Sequence, residues 1–250
     1  MELRRHDFLE ITEIGRVFAF QSLKTLSFEK KKLEAIEKML TAKVNGHFIP
    51  AIVRRKERHS NSGLVAVGFS SPFRVNGNRF RIPAFVPMDE IQKTVTPYDV
   101  IQKSYQATSH SLTALKEVRT IALRNNIKIG VLGSAALEIM TTLPYTDNHS
   151  DLDLVMKCTD IDLMKKIYFS IKNLEQPFEC QIDLEIEING IGFKAAELFQ
   201  DTKQILGKSI DNVQLYSRTN VMEWIDANTI NEGDVINGSK ITYARENFRI

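Results

Sequence analysis

The chain has 250 residues, enough for one large domain or two small ones, and its 43% hydrophobic and 26% charged residues are typical of a globular protein. The net charge of +2 is too small to indicate a nucleic-acid partner by bulk electrostatics. No apolar run approaches the roughly 18 residues that a membrane span needs. The charged start, MELRRHDFLEI, lacks the apolar core of a signal peptide. Because two cysteines, Cys158 and Cys180, form no disulfide framework, we expect reduced thiols in a cytoplasmic protein with neither membrane nor nucleic acid as partner.

Residues 1–95 are predicted to form a smaller, strand-rich N-terminal domain with one clear helix. Ser27 can cap a helix that runs to about Ala42. Strands are predicted at 48–55 and 64–69, and Asn76-Gly77 is typical of a tight turn between two further strands. The domain is expected to help dock a partner.

This N-terminal region is also basic. Two interpretations stay open: scattered surface charge, or a cationic wall for a phosphate-rich or acidic partner. The basic residues concerned are Arg54, Arg55, Lys56, Arg58, Arg74, Arg79 and Arg81.

A cluster of prolines at 83, 87 and 97 suggests a boundary, so that residues 96–250 form a second domain. Helices are predicted at 97–125, with a break near Thr108-Ser109, and at 160–173. Further strands are predicted at 180–188, at 213–218 and around a final hairpin at Asn237-Gly238. The predicted fold class is therefore α+β or mixed α/β, with the strands of the second domain in one sheet and helices on one face.

Residues 127–157 combine two halves of one site. A strand at 128–132 leads into the Gly133-Ser134 turn, a helix of about ten residues and then a strand that carries Asp151 and Asp153. Strand side chains alternate, so the two aspartates share a face, where each raises the pKa of the other unless a cation lies between them. Oxygen-only ligands of this kind suit Mg²⁺ or Mn²⁺.

The Gly133-Ser134 turn supplies the anion-binding half. Gly133 permits a close approach of the backbone to a ligand, and Ser134 is a plausible helix N-cap. The unpaired N–H groups of the first helical turn favour phosphate. A Gly-Ser turn or an Asp-x-Asp pair alone is usually structural, but their joint order predicts a triphosphate–metal site.

Asp183 and Glu185 lie on one face of the strictly alternating segment CQIDLEIEI. Alone, this pattern is typical of an edge strand with a charged outer face. Since a two-metal site needs a third acidic ligand from a neighbouring strand, the segment is also the predicted source of that carboxylate.

The motif order resembles the nucleotidyltransferase superfamily. Its details resemble the phosphoribosyl-dephospho-CoA transferase family, the holo-acyl-carrier-protein synthases of malonate decarboxylase. The matching segments are Gly133 to Ala136, Leu143 to Tyr145 and Ser150 to Leu154. The resemblance extends to the Asp183-x-Glu185 strand and, as a weak match, to Arg5-His6-Asp7.

The resemblance implies a nucleotidyltransferase-like C-terminal domain and a transfer from 2′-(5″-triphosphoribosyl)-3′-dephospho-CoA to a serine of the apo acyl-carrier subunit, with loss of pyrophosphate. Asp151, Asp153 and Asp183 would be ligands of Mg²⁺ or Mn²⁺, and Gly133 and Ser134 would bind the triphosphate. Either Asp183 or Glu185 would accept the proton of the serine. Two alternatives remain: another metal-dependent nucleotidyltransferase, and a non-catalytic nucleotide-binding module.

Overall fold

The protein is described here by a computed structural model, which covers residues 2–23, 30–44, 46–56, 63–75 and 78–233. The predicted cap at Ser27, the turn at Asn76-Gly77, Arg58 and the final hairpin at Asn237-Gly238 lie outside these residues. No helix within the described ranges is both long and apolar enough to cross a membrane.

The first part of the chain forms a five-stranded antiparallel sheet with the strand order β4-β3-β2-β1-β5. Its strands are β1 (Phe8–Ile11), β2 (Ala51–Val53), β3 (Leu64–Val75), β4 (Asn78–Pro87) and β5 (Ile91–Val95). Two helices, α1 (Glu13–Leu23) and α2 (Lys30–Thr41), accompany this sheet. The prediction of a single helix before residue 95 was therefore wrong, because α1 follows β1 directly.

Side-chain alternation gives this N-terminal sheet two different faces. One face joins residues of α1 and α2 in an apolar core that includes Leu9, Val53, Val67, Phe69 and Val86. The opposite face carries a set of residues that line a cleft toward the second half of the chain. We call this set the cleft-facing row: Ile52, Arg54, Gly68, Ser70, Arg81 and Pro83.

The second part of the chain forms a six-stranded sheet with the strand order β11-β10-β9-β8-β7-β6. Its strands are β6 (Lys128–Val131), β7 (Leu152–Lys157), β8 (Ile182–Ile188), β9 (Ile191–Lys194), β10 (Gln204–Lys208) and β11 (Val213–Ser217). The strands β7 and β8 run parallel, whereas the other neighbouring pairs are antiparallel. Asn189 and Gly190, both at positive φ, form the hairpin turn between β8 and β9.

The helices of this half are α3 (Pro97–Val100), α4 (His110–Arg124), α5 (Gly133–Thr141), α6 (Ile161–Lys172), α7 (Glu175–Phe178), α8 (Ala195–Leu198) and α9 (Arg218–Gly233). The predicted break at Ser109 is confirmed, because its side chain accepts a hydrogen bond from Leu112 N and caps α4. The helices α4 and α6 pack on the face of the sheet that buries Leu154, Met156 and Leu184. The predicted α+β class is confirmed, although β10 and α9 had not been predicted.

Tyr145 joins the two halves of the molecule. Its side chain is fully buried, and its hydroxyl donates a hydrogen bond of 2.8 Å to the carbonyl oxygen of Ser70 in β3. The guanidinium of Arg79 donates to the carbonyl of Tyr145 and lies 5.2 Å from the centre of its ring. The Leu143 to Tyr145 segment therefore holds the N-terminal sheet against the C-terminal one, and Arg79 is an internal contact rather than a free surface charge.

Candidate active site

The parallel pairing of β7 and β8 places acidic side chains next to each other. Asp153 is the register partner of Asp183, and Val155 is the partner of Glu185. In a parallel pair, register partners project from the same face of the sheet, so Asp153, Asp183 and Glu185 share the face opposite α4 and α6. Asp151 precedes β7 by one residue, is exposed, and lies outside the residues that line the cleft.

Asp153 is a half-buried carboxyl whose pKa is raised. Burial raises its pKa above the ordinary value, and the negative charges of Asp183 and Asp151 raise it further. A cation in contact with this carboxylate would relieve both effects.

Gly133 is required at its position for two reasons. Its φ of +60° lies in the left-handed region, and a Cβ atom added there would overlap the Asp153 carboxylate oxygen Oδ2. The backbone is held in place by Leu132, whose N–H donates a hydrogen bond of 2.9 Å to the carbonyl of Asp153. The turn and the acidic strand are thus in direct contact, and the close approach of Gly133 to a ligand stays a prediction.

The predicted capping role of Ser134 was wrong. Leu132 is the N-cap of α5, without a side-chain capping bond, and Ser134 is the second residue of the helix. Because the helix starts two residues earlier than predicted, the serine hydroxyl is not needed to terminate it, and Ser134 lines the cleft instead. The first-turn N–H groups of α5, which have no partners within a helix, lie at the same end.

Glu185 is engaged by cations from distant parts of the chain. Its Oε2 lies 2.5 Å from Arg5 Nη2 and 3.7 Å from His6 Nε2, and its Oε1 lies 3.8 Å from Lys208 Nζ. Burial alone would raise its pKa, but the contact with His6 and the charge and hydrogen bond of Arg5 outweigh burial and lower the pKa to about 2. Glu185 is therefore held as a carboxylate with very little affinity for a proton.

Asp183 has a more open environment than Glu185. Its side chain is 67% exposed, against 17% for Glu185, and its Oδ2 lies 3.8 Å from Lys194 Nζ. This carboxylate is accessible from the cleft and stands beside Asp153.

A second ion network fastens the N-terminal segment to the same strand. Arg4 and Lys157 lie 2.8 and 3.1 Å from Glu187 Oε1, and the Tyr98 hydroxyl donates a hydrogen bond of 2.9 Å to Glu187 Oε2. The backbone at His6 has a φ of +75°, an uncommon value for a non-glycine residue. Sequence reasoning found the Arg-His-Asp motif only as a weak match and gave no indication of its partners.

The cleft between the two sheets has a volume of about 660 Å³. One wall is the cleft-facing row. The other wall brings together predicted site residues and two lysines that the sequence analysis did not select: Gly133, Ser134, Asp153, Asp183, Glu185, Lys194 and Lys208. Of the predicted site residues, only Asp151 is absent from this lining.

The carboxylates fit a divalent cation that also takes ligands from a bound phosphate. Within the described ranges, no group of three His, Cys, Asp or Glu side chains is arranged to hold a metal ion by itself. Mg²⁺ commonly uses one or two carboxylates together with phosphate oxygens, and the Asp153–Asp183 pair matches that requirement. The metal ligands remain a prediction.

Comparison with known proteins identifies two domains of one family. The family model "Phosphoribosyl-dephospho-CoA transferase MdcG N-terminal domain" matches residues 4–97, and the corresponding C-terminal domain model matches residues 99–219. No solved structure gives a significant match.

Curated relatives carry the same name. A phosphoribosyl-dephospho-CoA transferase of Bradyrhizobium diazoefficiens is 27% identical over 173 residues, which are 68% of this chain and 74% of the relative. The phosphoribosyl-dephospho-CoA transferase of Pseudomonas fluorescens strain Pf-5 is 26% identical over 168 residues, 67% of this chain and 77% of the relative.

Proposed function

The chain belongs to the phosphoribosyl-dephospho-CoA transferase family, and we propose that it attaches the phosphoribosyl-dephospho-CoA group to a serine of an apo acyl-carrier protein, the acyl-carrier subunit of malonate decarboxylase. The donor is 2′-(5″-triphosphoribosyl)-3′-dephospho-CoA. The observation that carries this proposal is the side-by-side pair Asp153 and Asp183, placed against the Gly133-Ser134 turn inside one cleft.

In the proposed reaction, the serine Oγ of the carrier forms a bond to the phosphorus attached to the donor ribose. The anhydride bond to the next phosphorus breaks, and pyrophosphate leaves with its electron pair. Ser134 and the first-turn N–H groups of α5 hold the triphosphate oxygens, which orients the leaving group. Mg²⁺ or Mn²⁺, when bound by Asp153 and Asp183, supplies neutralisation of the phosphate charge. We propose Asp151, which immediately precedes β7, as a further ligand of this metal ion.

We assign the serine proton to Asp183, at a carboxylate oxygen that the metal would leave free, rather than to Glu185. Glu185 is paired with Arg5 and has a pKa of about 2, so it is a poor base. Asp183 is 67% exposed and reaches the cleft. Glu185 then acts by holding Arg5 and His6 beside the acidic pair.

The test is a transfer assay on the purified protein. It is mixed with Mg²⁺, the triphosphoribosyl donor and apo carrier, and the carrier is examined by mass spectrometry. We expect the carrier to gain the mass of one phosphoribosyl-dephospho-CoA group, and no gain for a carrier whose modified serine is replaced by alanine. A parallel reaction with ATP in place of the donor tests the main alternative. If the carrier gains AMP from ATP and nothing from the donor, the protein is a different nucleotidyltransferase. Absence of any gain in both reactions would contradict the proposal.

A further inference from the structure

The two walls of the cleft have opposite character. The C-terminal wall carries the carboxylates and, at Gly133-Ser134, the helix start. The N-terminal wall contributes two arginines, Arg54 and Arg81, among the apolar side chains of Phe8, Ile52 and Pro83. A triphosphate bound at the C-terminal wall makes no use of apolar contacts. The apolar residues of the N-terminal wall therefore suit a different part of a ligand.

Both arginines are built into the sheet so that they face the cleft. Arg54 follows β2, and its N–H donates a hydrogen bond of 2.9 Å to Ala66 O, which continues the pairing with β3. Its side chain crosses over Gly68, where an added Cβ would lie 3.1 Å from Arg54 Cδ. Glycine at position 68 therefore leaves the space in which the Arg54 side chain lies.

Arg81 lies in β4, two strands away from β2 on the same face of the sheet. It is the register partner of Ser70 in β3, and both residues line the cleft. The carboxylates on the opposite wall already have cations close to them: Lys194 at Asp183, and Arg5 and Lys208 at Glu185. The N-terminal wall adds the positive charges of Arg54 and Arg81 to the same cleft.

The donor of the proposed reaction contains two separate phosphate groups. One is the triphosphate, at which the reaction occurs, and the other is the diphosphate that joins adenosine to the pantetheine arm. We propose that Arg54 and Arg81 bind this second group, the diphosphate of the dephospho-CoA moiety, while the apolar residues beside them contact its organic flanks. Arginine is suited to this role because its planar guanidinium can donate two parallel hydrogen bonds to phosphate oxygens. The inference rests on the proposed function.

Two probes separate the two phosphate sites. Dephospho-CoA carries the diphosphate without the triphosphate, and inorganic triphosphate with Mg²⁺ represents the reacting end. We expect Arg81→Ala and Arg54→Ala each to weaken dephospho-CoA binding by about 10–100-fold in calorimetry, the range for a charge-assisted hydrogen bond. Binding of triphosphate with Mg²⁺ should change by less than about 2-fold, because its ligands lie on the opposite wall.

Two further variants sharpen the result. Arg55→Ala removes the same charge from the adjacent residue, which is exposed and lies outside the cleft lining, and should leave dephospho-CoA binding unchanged. Gly68→Ala keeps every charge but displaces Arg54, and should weaken dephospho-CoA binding. Circular dichroism and urea unfolding show whether each variant is folded.

The outcomes distinguish this inference from the proposed function. Equal loss of triphosphate and dephospho-CoA binding in Arg81→Ala would assign the arginines to the reacting end and overturn the inference. Unchanged dephospho-CoA binding in folded Arg54→Ala and Arg81→Ala proteins that still modify the carrier would overturn the inference alone. A wild-type protein that binds neither probe and modifies no carrier would overturn both.

Discussion

The two sheets use the same division of faces for different purposes. In each, one face packs on helices and the other lines the cleft. The C-terminal sheet presents acidic residues from two adjacent parallel strands, whereas the N-terminal sheet presents arginines and small or apolar residues from three antiparallel strands. In the proposed reaction the site is therefore a joint product of both halves: one wall would carry the acidic groups, and the other would hold the remainder of a large anionic substrate.

The largest expected effect concerns the acidic wall. Asp153→Asn should lower the transfer rate by roughly 10²–10³-fold, the range for loss of one group that stabilises transition-state charge. Burial and its acidic neighbours raise the pKa of Asp153, so ionisation of this group disfavours folding at neutral pH. The variant should therefore be at least as stable as the wild type at pH 7, and its stability advantage should shrink at acid pH.

The measurements are the carrier mass assay and urea unfolding at pH 7 and pH 4. Asp201→Asn, at an exposed position outside the cleft, is the matched control and should keep full activity. Full activity of Asp153→Asn would remove Asp153 from the site.

The next largest effect is expected at Glu185, which connects β8 to Arg5 and His6 of the N-terminal segment. Glu185→Gln should lower the unfolding free energy at pH 7 by up to about 3 kcal/mol, because a pKa lowered from 4.5 to about 2 represents that much stabilisation of the folded state. A carboxylate with a lowered pKa stabilises the folded state above about pH 4.5, and this stabilisation is lost as the pH falls through about 2. The difference between wild type and variant should therefore decrease from pH 5 downward.

Urea titrations at several pH values give this difference directly. Glu10→Gln is the comparison, because its pair with Lys93 is exposed and should contribute only about 0–1 kcal/mol. A difference between wild type and Glu185→Gln that stays constant from pH 7 to pH 3 would contradict the assigned pKa.

A smaller effect is expected at the helix start. Ser134→Ala should weaken binding of triphosphate with Mg²⁺ by about 1–3 kcal/mol, because it removes one hydrogen bond to a charged oxygen while leaving the N-cap at Leu132 intact. Calorimetry measures this affinity. Ser170→Ala, on the exposed side of α6, should bind as the wild type does. Unchanged affinity in Ser134→Ala would leave only the backbone of α5 as the phosphate contact.

The joint between the sheets should show a comparable effect on stability. Tyr145→Phe removes the hydroxyl that donates to Ser70 O and leaves a buried carbonyl without that partner, which should cost about 1–2 kcal/mol of unfolding free energy. Urea unfolding checks the value. If the unfolding free energy is unchanged, the contact between Leu143–Tyr145 and β3 is not what holds the two halves together.

The smallest effect concerns charge outside the cleft. The basic N-terminal residues were predicted to be either scattered surface charge or a cationic wall for a phosphate-rich or acidic partner. In the structure, Arg79 is internal, and Arg54 and Arg81 line the cleft. Of these arginines, Arg55 is exposed and outside the lining. Arg55→Glu should raise the KM for the carrier only about 2–5-fold at low salt, and the difference should fade at high ionic strength. A change in donor affinity instead would exclude a docking role.

Much of the C-terminal half could be predicted because its signals are local. The alternation of Ile182 to Ile188, the Asn189-Gly190 turn and the caps at Ser109 and Asp160 each depend on a few neighbouring residues. The expectation that Asp183 lies on a strand next to Asp153 followed from the need of a two-metal site for an acidic ligand from a neighbouring strand.

The N-terminal half was harder to predict because some of its charged residues are buried and some of its apolar residues are exposed. In α1, Arg16 is 2% exposed and donates hydrogen bonds to Leu40 O and Ile49 O, whereas Ile14 is 71% exposed. A helix with a buried arginine and an exposed isoleucine gives no amphipathic signal. The cations around Glu185 could not be predicted from the sequence either, since Arg5 is separated from Glu185 by 180 positions along the chain.

The same separation along the chain determines when these ion pairs can form during synthesis on the ribosome. Arg4 and Arg5 are made before their partners Glu187 and Glu185, which follow 183 and 180 positions later. At roughly 5–20 residues per second, the N-terminal segment waits on the order of 10–40 s before β8 exists to receive it. A nascent chain that has completed its first sheet therefore still lacks both acidic strands of the cleft. Donor bound at the arginines of that sheet alone would meet no catalytic carboxylate until β7 and β8 had left the ribosome.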